Sequence, residues 1–311
     1  MGMSVSWDAR VRLAAFTWLE QATRRYGELL PRSILLAGFE LDGQRIPLVS
    51  AASGIHKPRA LEIPLSILTA PEVEGRERPY EDDIDAQGLI GYRYRGDVRH
   101  IHHRDNEGLR RAMQARLPMV YFVGIVPGRY QPFWPAYITG DDPSGLRFTV
   151  AIDDGALVLA AAGASAVAED AASARRAYIT TVARRRMHQT AFRFRVLTAY
   201  RERCTVCRLG HAELLDAAHI IPDSEPDGLP VVRNGLALCK LHHAAFDQHI
   251  LGISPDYEIK IRLDVLEEED GPMLVHGLQN WQGLRIHPPR QAELRPGRDL
   301  LEERYRRFLS R

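Results

Sequence analysis

Between Trp7 and Tyr26 the apolar residues Val11, Leu13, Ala14, Trp18, Leu19 and Ala22 recur at helical spacing, so the chain is predicted to open on an amphipathic helix. After Pro31 the pattern changes. The runs SILLAGFELDG and QRIPLVSA read as a hairpin turning at Asp42-Gly43, a dipeptide suited to a tight turn. Further β-rich apolar runs follow at GLIGYRYR, PMVYFVGIV, FWPAYITG and GLRFTVAID, broken by Gly and Pro turns and by one helix expected from Asn106 to Arg116. These elements predict an α+β first domain over residues 1–165, built on a curved, mostly antiparallel, barrel-like sheet. From Ala156 an Ala-rich stretch ends that domain, and residues 166–203 read as a connector dominated by a long basic helix. A second domain, residues 204–311, closes with ISPDYEIKIRLDVL as a strand segment and RDLLEERYRRFL as an amphipathic helix. The latter sets Leu300, Leu301, Tyr305 and Phe308 on one side.

Composition narrows the class. The chain has 311 residues, 45% hydrophobic and 26% charged, enough for two globular cores and unlike disordered or fibrous sequences. No apolar run is long enough to span a bilayer and the first residues lack a signal-peptide apolar region, so a cytoplasmic protein without membrane contact is expected. With 41 Lys+Arg against 40 Asp+Glu, bulk charge does not announce a nucleic-acid binder, and local clustering must carry that case. The three cysteines cannot pair off completely, and their spacing beside histidines favours metal over disulfide in a reducing compartment.

Cys204-Thr-Val-Cys207 and Cys239-Lys-Leu-His242 are two chelating pairs whose spacing lets both side chains of each reach one ion. Four soft or borderline ligands with no open position describe a structural Zn2+. The segment between the pairs, including PDSEPDGLP, is too polar to hold itself by burial, so a metal clip has physical work to perform there.

Beside these ligands stand His219 in LLDAAHIIP, Asn234 in VVRNGLALC, and His243 and Asp247 in HHAAFDQH. Over about residues 190–255 the chain resembles the HNH, or ββα-metal, endonuclease family. In that family one strand carries a base histidine, a second strand begins near an asparagine, and a short helix supplies metal ligands. The residue types make chemical sense on their own. Phosphodiester hydrolysis needs a base and a cation. His219 titrates near neutrality and can take a proton from water. His243 and Asp247 stand i and i+4 on a helix and can hold a hard divalent ion, Mg2+ or Mn2+, together. His242 lies about 100° round that helix from His243, so one neighbour can serve zinc and the other the second metal. The resemblance implies that Asn234 braces the loop carrying His219. Many family members place a metal ligand immediately before the base histidine, where this chain has Ala218. Asp216 is nearby, but a regular strand turns it to the face opposite His219. His211, His249 and His276 read as ordinary surface or core residues.

For DNA contact the basic stretch offers Arg175, Arg176, Arg184, Arg185, Arg186, Arg193 and Arg195, with Phe192 and Phe194 among its last turns. In the first domain, His56, Lys57 and Arg59 and the pair Tyr92 and Tyr94 are candidates for groove insertion or capture of an extruded base. The layout of a β-rich reader followed by an HNH module resembles bacterial restriction endonucleases, including those that sense modified DNA. One such site cuts one strand, so a homodimer on duplex DNA is the simplest route to a double-strand break. The competing readings are a zinc-dependent DNA-binding protein that has lost catalysis, and a nicking or homing-type HNH nuclease.

Overall fold

The structure, a computed structural model, describes residues 6–71, 90–152 and 188–311. The chain divides into two compact units, Met1–Met187 and His188–Arg311. Among the described residues no helix is long and apolar enough to cross a membrane.

In the first unit, helix α1 (Trp7–Tyr26) starts where the Ser6 hydroxyl accepts the Ala9 amide, and it buries Val11, Ala15, Leu19 and Ala22 along one face. Arg12 is buried in that face as well. Its guanidinium pairs with Asp8 and donates to the carbonyls of Pro64 and Pro118, which is how a charge is tolerated there. The segment expected as the first hairpin strand is divided. Arg32–Ala37 forms a short helix, α2, and only Phe39–Leu41 (β2) and Gln44–Ile46 (β3) pair across Asp42 and Gly43, both at positive φ. Leu35 alone of SILLA is buried, so the run is held by one helical anchor and not by alternating strand burial.

The main sheet has seven strands. Leu30–Pro31 (β1), Ile55–His56 (β4), Ser66–Thr69 (β5), Ile90–Arg93 (β6), Met119–Val126 (β7), Arg129–Asp142 (β8) and Arg147–Ile152 (β9) run in the order β4-β5-β7-β8-β9-β6, with β1 pairing beside β8. Among the described strands only β5–β7 is parallel. Register shifts in the β7–β8 and β8–β9 pairs add the local bend and twist that irregularities of this kind impose. The expected barrel closure is not borne out: the described strands follow an open order, and no pairing among the described residues joins β4 to β6. Helix α3 (Arg104–Gln114) is where the pattern placed a helix, shifted toward the N-terminus because the His103 ring accepts the Asp105 amide and caps it.

The second unit is built on a ββα core. Strands β10 (Leu215–His219) and β11 (Gly235–Cys239) pair antiparallel, with His219 opposite Gly235 and Leu215 opposite Cys239, and α5 (Lys240–Asp247) follows directly. Helix α4 (188–199) packs Phe192, Val196 and Leu197 into the same core as Leu215, Leu236, Leu238 and Phe246, so this part of the expected connector belongs with the second unit. A Cβ at Gly235 would lie 2.4 Å from the Val196 side chain and 2.9 Å from Phe192, which is why the strand begins with glycine. Beyond α5, the expected single strand is two short ones, β12 (Leu251–Ile253) and β13 (Ile259–Ile261), separated by a turn at Tyr257, and Leu263–Glu267 is helical (α6). Pro272–Gly277 (α7) and the terminal helix α8 (Arg298–Leu309) complete the unit. The terminal helix buries Leu301 and Phe308 as its pattern foretold, together with Arg304, which the pattern did not.

Candidate active site

A Cys/His cluster forms where two chain segments meet. The turn Cys204–Cys207 is tied to β11 by the Thr205 amide on the Ala237 carbonyl, and Cys239 and His242 sit at the junction of β11 and α5. One ligand atom from each of Cys204, Cys207, Cys239 and His242 lies within 4.8 Å of the other three. Cys239 Sγ is 3.1 Å and Cys204 Sγ 3.5 Å from His242 Nδ1, and Cys207 and Cys239 sulfurs are 3.9 Å apart. Ligands about 2.0–2.3 Å from a tetrahedral zinc stand roughly 3.3–3.8 Å from one another, so the donor set and its spacing fit that ion. His242 Nε2 donates to the Gly277 carbonyl at 2.9 Å, which turns Nδ1 toward the sulfurs. Burial would depress the His242 imidazolium, but its sulfur neighbours outweigh burial and push its pKa up to about 9. Loading the cluster therefore releases protons.

The second group lies on the adjoining face of the same ββα core. His219 ends β10, and Phe192 of α4 stacks on its ring with centroids 3.9 Å apart. His219 Nε2 is buried with no hydrogen-bond partner among the described residues. Burial holds the imidazole below the usual histidine range; the nearby His243 adds to this, and Asp223 and Asp247 oppose it. The ring is therefore neutral at neutral pH. Asn234 is fully buried. Its amide accepts the Ile221 amide at 2.9 Å and donates to the carbonyls of Ile221 at 2.9 Å and Leu229 at 3.1 Å. Both ends of the loop that follows His219 are thus tied to one side chain.

On α5, His243 and Asp247 are neighbours at i and i+4, with His243 Nε2 3.3 Å from an Asp247 oxygen. His243 Nδ1 lies 3.4 Å from Asp216 Oδ2, and the same oxygen accepts Lys240 Nζ at 2.5 Å. Burial would raise the Asp216 carboxyl, yet Lys240 and His243 hold it below its ordinary range. Lys240 stands i and i+3 from His243, a spacing legible in the sequence but not singled out there. Ala218 is completely buried in the core, so the position before His219 is a packing position in this chain.

The expected DNA contacts fare unevenly. Arg175, Arg176, Arg184, Arg185 and Arg186 lie outside the described residues. Arg193 donates to the carbonyls of Ala212 and Leu215 and stands 3.7 Å from Asp216, so it braces the start of β10. Arg195 is half-buried and engaged in an interaction of its own. Tyr92 and Tyr94 are core residues, 6% and 3% exposed, and this corrects the expectation that they face DNA. Tyr92 meets Tyr121 edge to face, while Tyr94 packs on Phe148 and joins Arg110 and Asp141. His56 is half-buried with Nε2 on the Pro47 carbonyl. Lys57, which donates to the Leu61 carbonyl, and Arg59 are exposed.

Residues 204–254 match the family model for HNH endonuclease. The match holds the four cluster ligands together with His219, Asn234, His243 and Asp247, and it bears out the family resemblance read from those motifs. Among solved structures, one titled "Modification dependent TagI restriction endonuclease" is similar over 82% of this chain and 85% of that chain, at 16% identity and a TM-score of 0.28. No curated protein matches the chain.

Proposed function

We propose that this chain is a metal-dependent DNA endonuclease in which His219 is the general base. The observation that carries the reading is the pairing of a half-buried His219, whose buried Nε2 has no hydrogen-bond partner among the described residues, with a carboxylate and imidazole on α5 that already couple to it electrostatically. His219 takes a proton from water as the water oxygen bonds to phosphorus and the ester bond to the leaving oxygen breaks; the leaving oxygen is protonated from solvent. Phe192 fixes the plane of the imidazole, and Asn234 holds the loop behind it, so the base needs little reorganisation. His243 and Asp247 would hold the divalent ion, with Asp216 behind His243. Bound there, Mg2+ or Mn2+ would offset the charge developing on the phosphate and the leaving oxygen. Cys204, Cys207, Cys239 and His242 would hold a structural Zn2+ that shapes the strand-to-helix junction.

The finer reading is a restriction enzyme whose first unit selects the DNA, including modified DNA, acting on duplex as a homodimer. It rests on the separate core of residues before 187 and on the architecture read from the sequence.

The test is cleavage of matched plasmids, unmodified, cytosine-methylated, hydroxymethylated and phosphorothioated, with Mg2+ or Mn2+ and no added metal as control. Wild type is expected to cut in a metal-dependent way and His219→Ala not at all. Cleavage confined to one modified plasmid would establish the selective role of the first unit. Binding without cleavage of any plasmid would replace the enzyme with a zinc-dependent DNA-binding protein.

A further inference from the structure

The terminal helix α8 lies wholly outside the segment that matches the nuclease family, yet it holds a charged residue where its apolar stripe should continue. Arg304 is 8% exposed. Its Nη2 donates to the Phe246 carbonyl at 2.9 Å, and its guanidinium lies over the Phe246 ring at 4.7 Å. Phe246 belongs to the last turn of α5, immediately before Asp247, and Asp247 and Glu225 are electrostatic neighbours of Arg304. One turn further along, Arg307 grips Glu225 with both terminal nitrogens, at 2.7 and 2.8 Å. Glu225 lies in the loop that follows His219, the same loop whose ends Asn234 ties down.

Stability does not explain Arg304. Its Nε is buried with no hydrogen-bond partner among the described residues, and burial works against its charge. Buried ionic groups can often be replaced by well-packed apolar side chains of similar volume without loss of stability. The Phe246 carbonyl would keep a partner in such a variant, because the His249 amide also donates to it. The helix itself is seated by other contacts. A Cβ at Gly252 would lie 2.6 Å from the Phe308 ring, and the Gly297 amide donates to the Arg233 carbonyl, next to Asn234. What Arg304 and Arg307 add is a rigid connection, i and i+3 on one face, between the two halves of the site.

We propose that Arg304 and Arg307 are positioning residues of the nuclease site: Arg304 fixes the end of the helix that presents His243 and Asp247, Arg307 fixes the loop behind His219, and α8 thereby sets the separation of base and metal ligands. The proposal rests on the nuclease reading above. Its leverage comes from the steepness with which displacement of reacting groups lowers rate.

The test uses the full chain and four variants, Arg304→Met, Arg304→Lys, Arg307→Glu and the charge exchange Glu225→Arg with Arg307→Glu. Cleavage kinetics, melting temperature, zinc content and amide hydrogen exchange are measured on each. Arg304→Met is expected to keep its zinc and melt at the wild-type temperature or above. Its kcat should fall on the order of tenfold to a hundredfold at unchanged KM for DNA, with faster exchange confined to residues 244–250. Arg304→Lys should recover part of kcat, and the charge exchange should recover what Arg307→Glu loses. Wild-type kcat and exchange in Arg304→Met would overturn the proposal, as would loss of zinc and melting temperature in step with kcat. A wild-type protein that cuts no DNA is a different result, since it removes the nuclease reading and this proposal with it.

Discussion

Phe192 lies flat on the imidazole of His219, ring centroids 3.9 Å apart and planes 14° from parallel. The stack removes water from one face of the ring, and burial is the first cause of its lowered pKa. A base must be neutral to act, so activity is lost as pH falls through the folded-state pKa. With that value lowered, the acid limb of kcat/KM is expected below about pH 6.5. Phe192→Leu should move the limb upward toward the ordinary histidine value and lower kcat. A pH–rate profile of both proteins checks this, and a wild-type limb above pH 6.5 would contradict the assignment.

Asn234→Ala should destabilise the second unit and slow cleavage together. It strands the Ile221 amide and carbonyl in a buried site, a loss of roughly 1–3 kcal/mol, and releases the loop that follows His219. Asn234→Asp should be no milder, since a carboxylate would face the carbonyls of Ile221 and Leu229 that now receive donated hydrogens. Denaturant unfolding of the two variants measures the effect, and an unchanged midpoint in Asn234→Ala would exclude the bracing role.

Removing zinc should unfold one unit selectively. Cys239→Ser, or a strong chelator, is expected to raise amide exchange across residues 188–311 while residues 6–71 and 90–152 keep their protection, because the latter have a separate hydrophobic core. Uniform loss of protection throughout the chain would show that the cluster supports more than its own unit. The expected metal content is one zinc per chain.

Asp216 and Asp247 should separate on substitution. The Asp216 carboxylate is committed to Lys240 and stands beside Arg193, whereas Asp247 is the more exposed acid beside His243. Asp216→Asn is expected to lower cleavage about tenfold, the scale of a residue that orients a metal ligand. Asp247→Asn should reduce it on the order of a hundredfold or more and raise the Mn2+ concentration needed for half-maximal rate. Equal losses in the two variants would make Asp216 a ligand in its own right.

Much of the second unit was legible because its constraints are local in sequence. The two chelating pairs, the Asn234-Gly235 start of β11 and the adjacent histidines of α5 each announce themselves within a few residues. The opening helix and the Asp42-Gly43 turn were legible for the same reason. What escaped depends on contacts between distant segments. SILLA has one buried anchor and became helical; the strand order of the first unit stayed open. Tyr92 of β6 and Tyr94 just after it turned inward onto Tyr121 and Phe148 because a Tyr-Arg alternation does not say which face the core takes. Arg193 and Arg304 look like surface charge in the sequence, and only tertiary placement reveals backbone carbonyls as their partners.

His242 and His243 are peptide neighbours, one turned to the sulfur cluster and the other to Asp247. The two roles proposed for these neighbours are therefore locked into one helical phase. A single-residue insertion or deletion after Cys239 would rotate everything downstream by about 100° and misdirect both imidazoles at once. A change of length between Cys239 and Asp247 is therefore expected to disturb the sulfur cluster and the His243–Asp247 pair together.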